Sequence, residues 1–459
     1  MSMHYLTAVV SLILVVAILL IRLASKWGNG RPCKARLLPP GSRGLPLLGE
    51  TLEFFTAAPT LELLPFLKRR LDRYGPIFVT SLVGEEMIVS LDPAFSARVL
   101  QQEERAFQIW YPSSFMRVFG ADNIINALGP LHRHIRSLVL RLFGPESLRR
   151  ALLHDVQSAA RDELQSWLHR RQGVEVRAAT SRMIFSVTAK KLISHDDAAS
   201  GGSMWKCFDA CTRGLLAFPL CVPGTAFYKC MQGRKNVMRT LKQQLDERRN
   251  AAVAIRETVD FFDLVIDEMD RPDSELNENI ALDLLFLLLF ASHETTSMGL
   301  TAILKFLSDN PKALQELTEE HEGILKTRAD PKSDITWEEY KSMKFTSCVR
   351  YTIPEGSKIM ICPSAAHLNT EVYEDPTVFN PWRWKAWYSG TSRRLQGFMA
   401  FGGGLRLCVG ADFAKLQMAT FLHCLVIKYR WEAISGGRMV YYPGLRFPDG
   451  FHIRLLVKD

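Results

Sequence analysis

No disulfide framework can be read from this chain. Its nine cysteines, Cys33, Cys207, Cys211, Cys221, Cys230, Cys348, Cys362, Cys408 and Cys424, are odd in number and irregular in spacing, which also argues against a zinc ribbon. That usage suits a reducing, cytosol-facing compartment. Cys207 and Cys211 stand one helical turn apart, a spacing that packing explains better than ligation. Also missing are internal repeats, low-complexity tracts after residue 50 and blocks of like charge. The net charge of +9 is spread along the chain. It describes a solvated surface with a mild basic bias, or a basic face for an acidic partner or anionic lipid. No basic module interleaved with aromatics accompanies it, so nucleic-acid binding is not expected. Apolar side chains are plentiful: 47% of 459 residues, enough for one large catalytic domain.

Charge is absent from Tyr5 to Ile21. From Leu6 the run reads LTAVVSLILVVAILLI, near the lower length limit for a bilayer-spanning helix. No Lys or Arg precedes it, and Arg22, Lys26, Arg31, Lys34 and Arg36 follow. The positive-inside rule leaves everything after the helix in the cytosol. A cleaved secretory signal carries its basic residues on the other side. Residues 1–22 are therefore expected to be an uncleaved, single-pass anchor. Residues 23–49 are basic and Pro-rich, with Pro39-Pro40-Gly41 and Gly44-Leu45-Pro46, and read as a stiff hinge. Residues 50–459 form the body.

In the body, Ile77–Leu82 and Glu86–Leu91, separated at Gly84, read as a β-hairpin. Beyond residue 95 helical patterns dominate. Arg149–His169 and Leu241–Asp270 both space apolar residues by three and four. Asn279–Leu307 is apolar nearly all round at Leu282 and from Leu284 to Phe290. It is too polar at its ends to span a membrane, so it is expected to be the central helix of a large domain. The expected fold class is mainly α with small β-sheets.

The motif richest in chemistry is Phe398-Met399-Ala400-Phe401-Gly402-Gly403-Gly404-Leu405-Arg406-Leu407-Cys408-Val409-Gly410. It resembles the cytochrome P450 signature Phe-x-x-Gly-x-Arg-x-Cys-x-Gly at every fixed position: Phe401, Gly404, Arg406, Cys408 and Gly410. The resemblance implies a P450 fold and a haem b whose iron takes Cys408 as axial ligand. A thiolate donates electron density to iron and favours O–O cleavage. Glycines let the backbone approach the macrocycle, and amides near the sulfur tune its donor strength. Arg406 would pair with a haem propionate, and Phe401 would shield the sulfur.

Ala291-Ser292-His293-Glu294-Thr295-Thr296 resembles the family's oxygen-activation motif, with Ser292 where Gly is common. Glu294 and Thr295 would relay protons, and a carboxylate among leucines needs a partner or a role. His293 reads as a packed, hydrogen-bonded residue. His132-Arg133-His134-Ile135-Arg136 places His132 and Arg136 on one helical face. In plant enzymes of this kind the pair resembles the helix that grips the propionates. Phe379-Asn380-Pro381-Trp382-Arg383-Trp384 resembles the Pro-x-Arg-Phe/Trp element that precedes the ligand loop. Together these motifs cover the chain from about residue 37. The run Leu142–Leu148 resembles plant members that oxidise sterols, triterpenoids and brassinosteroids. The resemblance implies a monooxygenase acting on a hydrophobic small molecule at the endoplasmic reticulum, fed by NADPH–cytochrome P450 reductase.

One family element is absent. No Glu-x-x-Arg occurs between residues 297 and 380; Glu146-x-x-Arg149 and Glu268-x-x-Arg271 lie upstream of the oxygen-activation helix. The chain passes from Val349 straight to Arg350, where related sequences hold that helix and a β-hairpin, roughly 20–30 residues. Arg383 is then expected to lack its carboxylate. An arginine left buried and unpaired costs on the order of 3–5 kcal/mol, a large share of typical folding stability. The break suggests an exon-skipped or wrongly assembled gene product. Two other readings stay open: a haem-thiolate isomerase or dehydratase needing no electron donor, and a non-catalytic membrane-bound relative.

Overall fold

The structure is a computed structural model. It describes residues 39–459 apart from 46–47, 60–61, 106, 121–124, 126, 171, 198, 216, 218, 251–259, 327, 329–332, 343–358, 371–372, 385–398, 442–443 and 459. The expected anchor, most of the hinge, Phe398 and the Val349–Arg350 junction lie outside the described residues.

The helices that shape the site are α1 (Ser113–Phe119), α2 (Gly129–Phe143), α3 (Leu153–Leu168), α4 (Val176–Ile193), α5 (Ser203–Leu215), α6 (Ala226–Asn250), α7 (Phe261–Met269), α8 (Glu278–Asp309), α9 (Pro311–Lys326) and α10 (Ala411–Lys428). Helix α8 is the central helix. Its 32 residues span about 48 Å, and the Asn277 side chain caps its start by accepting from the Ile280 amide at 3.0 Å. It is long and apolar enough to cross a membrane, but most of its apolar stretch is buried inside the protein. Leu282 to Leu289 enter one hydrophobic core with α1 to α7, while Leu300, Leu304 and Leu307 enter a second with α3, α4, α9 and the C-terminal sheet. Helix α10 also bridges both cores, through Phe413 and Leu416 in one and Phe421 and Leu425 in the other. The segment just after Cys408 is thereby fixed to the whole body.

The expected hairpin is present, its second strand starting one residue early. β1 (Ile77–Leu82) pairs antiparallel with β2 (Glu85–Ser90). Val83 and Gly84 turn it with φ of 53° and 78°, the left-handed geometry a two-residue hairpin turn requires. β4 (Ile359–Ile361) adds parallel to β2. β3 (Val174–Glu175), β8 (Phe451–Val457) and β5 (Tyr429–Gly436) form a second sheet in that order, and β6 (Val440–Tyr441) pairs with β7 (Leu445–Arg446). The end of the Pro-rich stretch lies along β1. The Val79 amide donates to the Pro40 carbonyl at 3.0 Å, Ser42 donates to Val79 at 3.1 Å, and Glu50 donates to Ser81 at 2.7 Å.

Two helical expectations need correction. Leu241–Asp270 is not one helix: α6 ends at Asn250 and α7 begins at Phe261. Apolar spacing runs across both, but Asp260 starts α7 with a capping box, its carboxylate accepting from the Asp263 amide at 3.1 Å. Arg248 of α6 grips Asp260 and Asp263 at 2.7 and 2.8 Å. The helix expected at Arg149–His169 opens with a π-helical turn, Leu148–Leu152, before α3. Cys211 is buried and Cys207 half-buried, and Cys211 donates to the Cys230 carbonyl across the α5–α6 contact at 3.4 Å, which is packing.

Candidate active site

The loop from Met399 to Gly410 is shaped by backbone needs that only glycine meets easily. Gly402 and Gly404 have φ of 72° and 58°. The Cys408 amide donates to the Phe401 carbonyl at 3.0 Å and closes the loop, and the Ala411 amide donates to Cys408 at 3.3 Å and leads into α10. Cys408 is exposed. Burial of its surroundings pushes the thiol above its ordinary value, against the pull of the Gly410 amide and of the Arg136 and Lys415 charges. Lys415 also sits 5.3 Å from the Phe401 ring centroid.

Arg406 reaches into a polar cage. Its Nε donates to Glu103, and its Nη2 and Nη1 donate to the Ala127 and Ile125 carbonyls at 2.7 and 3.4 Å. Both charged side chains are nearly buried. Helix α2 brings His132 and Arg136 to the same place. Arg136 Nη1 donates to the Leu407 carbonyl at 2.6 Å, a direct tie to the ligand loop. His132 is buried, and its Nδ1 has no partner among the described residues. Burial, then the charges of Arg406 and Arg136, push this imidazole down to about 4. Arg133 is turned outward to Glu104 at 2.9 Å, and His134 to Glu268 at 3.0 Å.

On α8, Glu294 and Thr295 are neighbours but face different partners. Glu294 is held by Arg177, near the start of α4, at 3.1 Å. Thr295 is exposed and donates to the Ala291 carbonyl at 3.2 Å. Ala291 is exposed too, so one face of a helix that is otherwise core stands open at two positions a turn apart. Ser292, in place of the usual glycine, donates to Leu289 at 3.0 Å within the helix. His293 is buried among Phe185, Phe208 and Phe290, hydrogen-bonded to the Leu289 carbonyl. Among the described residues no hydrogen bond joins Glu294 or Thr295 to the Cys408 loop.

Sequence reading missed Glu103 and Arg177. Glu103 lies in an irregular stretch beside Glu104 and Arg105 with no motif to mark it, and Arg177 is one basic residue on a helix start. Their partners are 303 and 117 residues away. Arg383 needs correction as well. As expected, it has no carboxylate among the described residues, but it is neither buried nor unpaired. Its guanidinium donates to the Asn380, Glu374, Asp375 and Val378 carbonyls at 3.1, 2.8, 3.0 and 2.9 Å. Partial exposure and four acceptors remove most of the anticipated penalty.

The donor set fits a haem. An exposed thiol suits an axial iron ligand. Two arginines and a buried imidazole with a free ring nitrogen suit anionic propionates.

The family model described as "Cytochrome P450" matches residues 39–349 and 347–442. The chain belongs to the cytochrome P450 family. As a P450 it is a haem-thiolate monooxygenase. It is 48% identical to "Cytochrome P450 87A3" of Oryza sativa subsp. japonica, over 96% of this chain and 89% of that protein. It is 37% identical to "Cucurbitadienol 11-hydroxylase" of Siraitia grosvenorii, over 92% and 94%. It is 34% identical to a "Steroid (22S)-hydroxylase" of Oryza sativa subsp. indica, over 94% and 90%. Among solved structures, the retinoic acid-bound cyanobacterial CYP120A1 superposes with a TM-score of 0.79 at 25% identity, covering 92% of this P450 and 99% of that chain.

Proposed function

We propose that this P450 hydroxylates an apolar polycyclic substrate, a sterol or triterpenoid, with dioxygen and electrons delivered by NADPH–cytochrome P450 reductase. The observation that carries this is the Cys408 loop: an exposed thiol on a glycine-shaped turn that Arg136 ties to α2. The hydroxylases of triterpenoids and steroids among its relatives support the substrate class. Haem b, held by Cys408, would supply the oxygen-activating chemistry. Arg406, Arg136 and His132 would hold its propionates, and the pairing of Arg406 with Glu103 fixes its plane. Phe401 would cover the sulfur. Thr295 on the open face of α8 would offer its hydroxyl to the oxygen chemistry, and Glu294, held by Arg177, would resupply the proton. The run at residues 1–22 would anchor the protein once in the endoplasmic reticulum, with the body in the cytosol.

A second reading is favoured by one observation. The family model matches in two segments that meet at 347–349, the place where the Glu-x-x-Arg helix is missing from the sequence. In that reading the chain is a deletion product that binds haem weakly. The reduced CO difference spectrum of the purified chain separates the two. A full thiolate band, followed by reductase-dependent turnover of a triterpenoid panel, supports the first. Iron-free protein that gains the band when the rice relative's segment is inserted between Val349 and Arg350 supports the second. Turnover without NADPH would indicate an isomerase or dehydratase instead.

A further inference from the structure

Helix α1 has only seven residues, yet it carries an aromatic wall beside the open face of α8. Phe115 stacks on Tyr111 and leans on Phe119, each at 4.6 Å between ring centroids. Phe119 meets Phe286 and Phe290 of α8 at 6.1 and 5.1 Å. Phe290 directly precedes exposed Ala291. Little in α1 itself keeps it in place: Pro112 opens it without a side-chain cap, and Gly120 ends it with φ of 96°. A helix this short owes its stability to tertiary contacts.

The contact that fixes its end is a largely buried ion pair from two other helices. Arg234 of α6 donates Nη1 to the Val118 carbonyl at 2.9 Å and Nη2 to Asp283 of α8 at 2.5 Å. Its guanidinium lies 4.9 Å from the Phe286 ring centroid. The backbone of α1 can reach this pair only because residue 120 is glycine; a β-carbon there would run into the Asp283 carboxylate. If α1 swings away, Arg234 loses the carbonyl and keeps Asp283. The guanidinium would then still be oriented by Asp283 toward the place that the Val118 carbonyl left.

We infer that the Arg234–Asp283 pair is a latch that closes α1 over the substrate face of α8, which makes Arg234 a positioning residue for substrate access. This rests on the reading of the Ala291–Thr295 face as the substrate side. Opening breaks the charge-assisted hydrogen bond from Arg234, the ring contacts and the Arg117–Phe227 contact, and it uncovers Val118 and Phe119, which are buried in the main core; it is a sub-global opening of one element rather than unfolding of the body.

Hydrogen exchange on the purified full-length chain tests the latch whether or not haem is bound. Arg234→Met is expected to speed exchange of the residue 114–120 amides by about tenfold or more, leaving α4 and α10 unchanged. Gly120→Ala is expected to do the same by displacing the carboxylate, and Arg234→Lys to fall between. In haem-loaded protein, 4-phenylimidazole binding followed by its Soret shift is expected to show on- and off-rates that rise together, with the dissociation constant moved by less than about threefold. Wild-type exchange in both Gly120→Ala and Arg234→Lys would overturn the latch. So would faster exchange with an unchanged on-rate, because α1 would then lie off the access path. No Soret shift in the wild type would count against the haem-site reading, and the exchange result would still decide the latch.

Discussion

Two arginines, one before the ligand loop and one within it, live in opposite electrostatic worlds. Arg406 is nearly buried and neutralised by Glu103. Arg383 is half-exposed and, among the described residues, held by main-chain carbonyls alone, while its turn is docked by Phe379 stacked 5.0 Å from Phe306 and by Trp382 donating to Glu316. A carboxylate is indispensable where water is excluded and optional where it is not. The loop's Glu103 side keeps a charge-paired scaffold, whereas the turn before it is fastened by aromatic packing.

The largest effect expected anywhere in this comparison is at the loop's centre. Cys408→Ala should abolish any thiolate band in the reduced CO spectrum while leaving the urea midpoint of the iron-free chain nearly unchanged, since Cys408 is exposed. Next is Glu103→Gln, which strands Arg406 in a site with almost no water. A loss of about 3 kcal/mol is expected in urea unfolding, together with weaker haem retention. A loss below about 1 kcal/mol would place Arg406 with Arg383.

Acid should separate the two regions in a third way. Helix α10, behind the loop, rests on a neutral pair: His423 and His321 of α9 meet Nδ1 to Nδ1 at 3.0 Å, both fully buried. Burial pushes them down to about 4 and about 3. Folded-state values below the unfolded value mean that this stability is complete above about pH 6.5 and drains away as pH falls toward about 4. On the order of 2 kcal/mol per histidine should be lost between pH 7 and pH 5, and His423→Gln should remove about half of the pair's slope. The carbonyl cage of Arg383 has no proton to gain in this range. The smallest effect is expected there: Arg383→Ala should cost about 1 kcal/mol or less, and a loss near 3 kcal/mol would show that the turn is more buried in solution.

These contrasts also mark how far the sequence could be read. The Cys408 loop was legible because its chemistry is written into consecutive residues. So was α8, whose leucines have no polar face to hide. Arg383 was legible as a residue that lacks its carboxylate, but not as a half-exposed one, because burial is a property of the assembled body. Glu103, Arg177 and the Arg234–Asp283 pair were invisible for a related reason: a single charge does not announce which distant charge it will meet. The break between α6 and α7 escaped because apolar spacing is blind to the Asp260 cap.

The strand-like pairing of Pro40–Ser42 with Val79 has a mechanical consequence. The chain from Pro39 to Ser42 is not a slack tether on the body. It enters through hydrogen bonds aligned with β1, so a pull on it loads several of them in shear at once. Force applied at Pro39 is therefore passed straight into the first sheet, and residues 39–42 act on it as a handle rather than a swivel.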